Sequence, residues 1–216
     1  RIKSAVMSAK EVEMGYDHFV SFHILDALCA LHAVNTWQGK RIIDIGSGAG
    51  IPGVPIYILK EKEIEEVVLL ETTSKKAEFL TTVKESLDFK KLKIVNMRAE
   101  EAAKTTPYRE GFDVSLIRAV GDLAESIEIS LPFINIGGVS LVYAGRISQE
   151  DVEFSTAYAD KFGGKLENTV NYLLSDAKNE RNIMVFKKYC TTNNKYPRKA
   201  SKIGSKIQLI ETTTIV

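Results

Sequence analysis

The sequence predicts a doubly wound α/β fold on a mostly parallel sheet of seven strands, with an N-terminal helical segment. Three observations predict it. Short apolar, β-branched runs alternate with helical patterns from residue 40 onward, as parallel strands joined by right-handed crossovers do. The first of these runs ends in a glycine-rich loop. The last two runs lack a helical pattern between them and read as a pair that closes the sheet.

The elements follow in order. Asp17 to His32 is a mostly apolar helix that must pack on the sheet, because it cannot be stable alone. Arg41 to Ile45 is a buried strand. Ile51 to Lys60 is a helix with prolines near its start, where they are tolerated. Val67 to Leu70 is the second strand, closed by Glu71. Ser74 can cap a helix whose Phe79, Leu80, Val83 and Leu87 share one face. Lys93 to Val95 is the third strand. The turn residues Glu110-Gly111 introduce the fourth, Phe112 to Ile117. Leu123 to Leu131 is helical and stops at Pro132. The fifth strand, Val139 to Tyr143, follows Gly137-Gly138. A helix from Gln149 to Phe162 ends at Gly163-Gly164, and Lys165 to Leu174 and Asn182 to Lys187 form the closing pair. The expected division is a helical extension over 1–38, a sheet domain over 39–188 and a basic tail over 189–216.

Composition excludes several classes. The 216 residues are 44% hydrophobic and 26% charged, which is ordinary for a globular chain and rules out wholesale disorder, collagen and fibrous repeats. No apolar run approaches the ~18–20 residues of a membrane span, and no signal-peptide pattern opens the chain. Cys29 and Cys190 sit in no Cys-x-x-Cys and near no His at ligand spacing, which argues against a disulfide scaffold and against a bound metal. A reducing, cytoplasmic compartment is the expectation. The chain opens at Arg1 without Met, so a fragment of a longer product is expected. Net charge is +1, but seven basic residues from Lys187 onward stand against one acid, Glu211. A polyanion contact at that end and a solvated basic tail are both open readings.

The chemistry concentrates at successive strand ends. Gly46, Gly48 and Gly50 alternate in a Gly-x-Gly-x-Gly loop after the first strand, where main chain can approach a ligand that any Cβ would obstruct. A structural tight turn is the alternative. The spacing differs from the Gly-x-Gly-x-x-Gly of dinucleotide folds, so a nicotinamide dehydrogenase is the weakest option. Glu71 ends the second strand, where a carboxylate can accept two hydrogen bonds from a ribose diol; a surface Glu is the alternative. Arg98-Ala99-Glu100 follows the third strand and can edge an adenine, or merely start a helix. Arg118 ends an apolar fourth strand and must face either the crevice or water. Together, in order on four strands, these features describe an adenosine ligand lying across the sheet.

Ile43 to Gly53 resembles motif I of S-adenosylmethionine-dependent methyltransferases. Its Ile-Pro-Gly extension is similar to the bacterial RsmG (GidB) family, which methylates N7 of a guanine in 16S ribosomal RNA. His23-Ile24-Leu25-Asp26-Ala27-Leu28, Ile117-Arg118-Ala119-Val120 and Tyr196-Pro197-Arg198-Lys199 are similar to three further family stretches, over about residues 17–200. The resemblance implies a class I, Rossmann-like methyltransferase that uses S-adenosyl-L-methionine. It implies cofactor contacts from Gly46, Ile51, Glu71, Thr72, Thr73, Ala99, Glu100 and Arg118, with Gly48 and Gly50 in the loop. Three departures stand out. Ala144 precedes Gly145 where the family usually has Lys-Gly, with Arg146 as the stand-in, Ala200-Ser201-Lys202 replaces the Gly-x-Pro expected after Tyr-Pro-Arg, and the family's usual preceding helix is expected to be missing.

Guanine N7 has a lone pair and no proton to lose, so positioning and electrostatics can carry methyl transfer without a general base. The sequence agrees: it has no Asn/Asp-Pro-Pro-Tyr/Phe segment and no Pro-Cys. Arg118 is the catalytic candidate, able to donate to the cofactor or to guanine O6. His23 and Asp26 share a helix face and can pair with each other, either to hold the helix or to order RNA. Lys195, Arg198, Lys199 and Lys202, with Tyr189 and Tyr196, can pair with phosphates and stack on an unpaired base. The expected partner is 16S rRNA or the small ribosomal subunit, with no membrane, and the protein acting as a monomer. A methyltransferase for another substrate and a non-catalytic cofactor- or RNA-binding module are the competing readings.

Overall fold

The computed structural model describes residues 13–174 and 180–203. The outer parts of the two expected end segments, with Lys206 and Glu211, lie outside the described residues. Seven strands form one sheet: β1 (Arg41–Ile45), β2 (Glu66–Glu71), β3 (Leu92–Asn96), β4 (Phe112–Arg118), β5 (Ile134–Ala144), β6 (Gly164–Leu173) and β7 (Glu180–Lys188). Their order is β3-β2-β1-β4-β5-β7-β6. The first five pair in parallel, and β7 lies antiparallel between β5 and β6. The winding reverses between β1 and β4. A crevice opens there at the carboxyl ends of the strands, and that is where ligands bind in open α/β sheets.

Both sheet faces are covered. On one, Ile43, Leu70, Ile117, Ile127, Phe133 and Phe162 pack together. On the other, Ile42, Leu69, Leu116, Ile56, Tyr57 and Leu80 do so. That is why the central strands read as mostly apolar runs: β2 is buried at every position. Each fully buried aliphatic side chain contributes about 1.5–3 kcal/mol of transfer free energy. The covering helices after β1, β2 and β3 are Gly53–Lys60, Ser74–Ser86 and Ala99–Ala102, and after β4 and β5 they are Leu123–Ser130 and Gln149–Asp160.

Four local expectations are corrected. The single helix over 17–32 is instead an α-helical turn (Gly15–Phe19), a π-helical turn (Val20–Ile24), another α turn (Leu25–Leu28) and a 3-10 turn (Cys29–His32). Ser74 is the first residue of its helix, not its cap; its hydroxyl meets Asn96 Oδ1 at 3.0 Å, and Thr73 precedes it. Leu87 is 56% exposed, so the helix face ends before it. Finally, β5 begins at Ile134, which puts Gly137-Gly138 inside the strand. A Cβ on Gly138 would lie 2.6 Å from Asp113 O, at the irregular register between β4 and β5. Gly138 there permits close strand approach, while Gly137 takes a left-handed backbone at φ +90° with open space around it. Pro132 sits in a 3-10 turn, Leu131–Phe133, that continues from the preceding helix.

Candidate cofactor site and nucleic-acid face

The glycine loop is tied down by its own amides. Gly46 and Ser47 N–H both donate to Leu70 O, at 2.8 and 3.1 Å. Gly48 N–H donates to Glu71 Oε2 at 2.9 Å, and Thr73 N–H to Glu71 Oε1 at 2.7 Å. Glu71, only 4% exposed, therefore staples the loop to the tip of β2. Two of roughly four acceptor positions on its carboxylate are used this way, which leaves two for a diol, although the side chain lines neither cavity described below. Gly48 has φ +55°, a left-handed backbone that a side chain strains. Gly50 lines neither cavity described below. A Cβ there would meet Val54 Cγ2 at 2.6 Å and Leu80 Cδ2 at 3.0 Å, so it serves helix packing and the expected cofactor contact is revised.

Asp44 anchors the far side of the loop. Its Oδ2 accepts from Gly53 N–H at 2.9 Å, while Oδ1 is buried without a hydrogen-bond partner among the described residues. Burial drives its pKa up to about 7, against the opposing pull of the Gly53 amide and Arg118. The folded chain then holds a proton that the unfolded chain, with a pKa near ~3.9, has released. The stability this group contributes is complete below about pH 4 and is lost as pH rises to about 7. Asp44→Asn keeps an oxygen for Gly53 and cannot titrate. Its urea midpoint should vary less between about pH 4 and pH 8 than that of the wild type; identical profiles would show that Asp44 titrates normally.

Two cavities flank the loop and share Gly46 and Ala119. The first, about 240 Å³, is walled by Ile45, Leu70, Met97, Val120 and Ile129, with Thr72, Arg98, Ala99, Glu100, Glu125 and Ala200 also lining it. The second, about 290 Å³, is lined by Gly48, Ala49, Ile51, Phe19, His23, Lys76 and Arg118. Thus Gly46, Gly48, Ile51, Thr72, Ala99, Glu100 and Arg118 come together, and Thr73 contributes its amide to Glu71. The sequence reading missed Phe19, Lys76, Met97, Val120 and Ala200. Lys76 was legible one turn into the helix after Glu71; the others carry no signal apart from their neighbours in the fold.

Arg118 has a second task. Its Nε pairs with Asp26 Oδ2 at 2.8 Å, and its Nη2 donates to Phe22 O at 3.1 Å and meets His23 Nδ1 at 3.3 Å. Asp26 Oδ1 accepts from Tyr172 OH at 2.7 Å, and Tyr143 OH donates to Ala27 O at 2.7 Å. The irregular N-terminal helix turns Phe22 O, His23 and Asp26 toward one guanidinium, and tertiary contact overrides the regular α period. His23 and Asp26 are bridged through Arg118.

The basic residues separate into two groups. Arg198 does not present its charge to solvent as expected: its Nη2 lies 2.6 Å from Glu128 Oε2, its Nε 2.9 Å from Glu128 Oε1, and Glu128 is fully buried. Its expected phosphate contact is therefore revised to a structural one. Arg146 is exposed after β5, with Nε 3.8 Å from Glu180 Oε2. Lys195 lies over the Tyr196 ring, and Lys199 and Lys202 are exposed. The described part of the C-terminal segment packs on the sheet domain: Arg109 donates to Tyr196 O at 3.0 Å and Thr192 N–H to Glu110 Oε1 at 2.7 Å.

Solved structures share this architecture. TYW2 of M. jannaschii, in complex with AdoMet, aligns with a TM-score of 0.58 and 13% identity over 74% of each chain. A putative RNA methyltransferase from Pyrococcus horikoshii aligns at 0.54 and 14%, over 77% of this chain and 82% of its own. The cyclase SpnF shares the fold too, at 0.56 and 13% over 77% and 80%, so fold alone does not name the chemistry. With a glycine loop at the switch point and a cavity on either side, the molecule has the class I, Rossmann-like methyltransferase fold. A family model described as rRNA small subunit methyltransferase G (GidB) matches residues 10–184. Ribosomal RNA small subunit methyltransferase G of Clostridium botulinum Type A is 33% identical over 85% of this chain and 76% of its own. That of Clostridium tetani is 34% identical over 88% and 79%. The chain belongs to the GidB family of small-subunit rRNA methyltransferases.

Proposed function

We propose that this protein transfers a methyl group from S-adenosyl-L-methionine to N7 of a guanine in 16S ribosomal RNA. The observation that carries the N7 reading is the lining of the second cavity. Its titratable side chains among the described residues are His23, Lys76 and Arg118, with no carboxylate. His23 Nδ1 lies 3.3 Å from Arg118 Nη2. Such a site suits a nucleophile that has no proton to give away. The cofactor supplies a methyl on a sulfonium, which the N7 lone pair takes as the thioether departs.

The chain's own residues hold and orient. The apolar walls of the first cavity receive the adenine beside Ala99 and Glu100. Glu71 holds the loop and has acceptor positions left for the sugar. Main chain at Gly46 and Gly48 faces the amino-acid end of the cofactor. Arg118, fixed by Asp26, sits where it can donate toward guanine O6. His23 and Arg146, at the same edge of the sheet, and Lys195, Lys199 and Lys202 are the proposed RNA contacts.

Mapping N7-methylguanine in small-subunit rRNA from cells with and without this protein tests the reaction. A modified guanine that depends on the protein is expected; tight cofactor binding with no transfer to rRNA would favour a non-catalytic module. A further prediction concerns the basic turn. Lys199→Glu with Lys202→Glu should weaken RNA binding and flatten its dependence on salt, because fewer counterions are released. An unchanged slope in a salt titration would make that turn a solvated surface only.

A further inference from the structure

A third cavity adjoins the first. It measures about 370 Å³, and Glu101, Lys104 and Lys199 line it. Arg98, Glu100 and Ala200 line both cavities, so the two share a wall. A hydrogen bond, Ala200 N–H to Glu100 Oε1 at 3.0 Å, ties the two sides of the wall together. On its other side the turn is held by Arg198 on buried Glu128. Lys199 bridges these two anchors in an extended conformation, φ −62° and ψ 141°.

We propose that the third cavity takes a backbone phosphate of the rRNA substrate and that the Glu100–Ala200 wall couples its occupancy to that of the cofactor cavity. This rests on the reading of the first cavity as the cofactor site. Arg98, Lys104 and Lys199 supply three positive charges against Glu100 and Glu101, and the Glu100 carboxylate is already engaged by the Ala200 amide. The balance favours a single anion. RNA drawn to Lys104 and Lys199 presses on the same residues that bound the adenine cavity. A ligand on either side then favours the closed wall, and each tightens the other by the same factor.

The test is calorimetric titration of the full chain with S-adenosyl-L-homocysteine, with and without transcribed 16S rRNA. Wild-type affinity should rise about five-fold or more when RNA is present. Lys104→Glu should bind the RNA several-fold more weakly; RNA affinity equal to wild type would remove the phosphate site. Ala200→Pro deletes the N–H at the cost of two added ring carbons, and Lys199 already has the extended backbone that precedes proline. In that variant the two affinities should converge, and a full RNA-induced gain would overturn the coupling. The reciprocal titration, RNA with and without the homocysteine, must give the same factor in wild type. A factor of one there overturns the coupling however Ala200→Pro behaves. Failure of wild type to bind the cofactor analogue at all would instead sink the proposed function.

Discussion

Gly48→Val is expected to abolish cofactor binding while the sheet still folds. Two effects combine at this position. The backbone stands at φ +55°, and a β-branched residue there stores roughly 1–3 kcal/mol of strain. The nearest protein atom to an added Cβ is Gly46 O at 3.9 Å, so the protein itself offers space. What the side chain fills is the second cavity, whose wall Gly48 forms. The strain also pulls on the Gly48 N–H that donates to Glu71, loosening the loop from β2. Gly48→Ala adds less bulk and less strain and should lose only part of the affinity. Calorimetric titration with S-adenosyl-L-methionine separates the outcomes. A Gly48→Val protein that binds as wild type does would show that the ligand lies elsewhere.

The central sheet was legible because it is buried on both faces. With helices on each side, the central strands are mostly apolar, as Val67 to Leu70 is throughout and as Val114 to Ile117 is apart from the buried Ser115. The loop and the strand-end positions Glu71, Ala99, Glu100 and Arg118 were legible for a related reason. Polar or glycine residues that interrupt such runs at the same end of successive parallel strands gather at one crevice. Sequence reading failed where a distant partner decides. Gly50 looks like its neighbouring glycines, yet Val54 and Leu80 determine its role. The N-terminal helix has a mostly apolar pattern, yet Arg118, some 90 residues away, draws Phe22 O, His23 and Asp26 onto one guanidinium. Arg198 sits in a basic run and reads as an RNA contact; no local pattern announces that a glutamate 70 positions earlier has taken its charge.

That last pairing carries the largest expected effect on stability. Glu128 lies in the middle of the helix Leu123–Ser130 and is 0% exposed. It accepts from Arg198 N–H at 2.8 Å, from the Arg198 guanidinium at 2.6 and 2.9 Å, and from Tyr158 OH at 2.8 Å. Burial alone would raise the Glu128 pKa, but the hydrogen bonds from Arg198 outweigh it and hold the carboxyl below its ordinary range. Arg198→Ala leaves the carboxylate buried with the Tyr158 hydroxyl and one amide. Breaking a fully buried pair costs about 3–5 kcal/mol; with the Arg198 side chain 34% exposed, a loss of about 2–3 kcal/mol at neutral pH is expected. The native pair contributes above the unfolded glutamate pKa, about 4.3, and that contribution is lost as pH falls through the depressed native value. The deficit of Arg198→Ala should therefore shrink in acid. Glu128→Gln added to Arg198→Ala removes the stranded charge and should recover much of the loss. Urea unfolding at neutral and acid pH reads all three proteins. A deficit under about 0.5 kcal/mol, with RNA binding lost all the same, would return Arg198 to the RNA face and leave Glu128 without its partner's structural role.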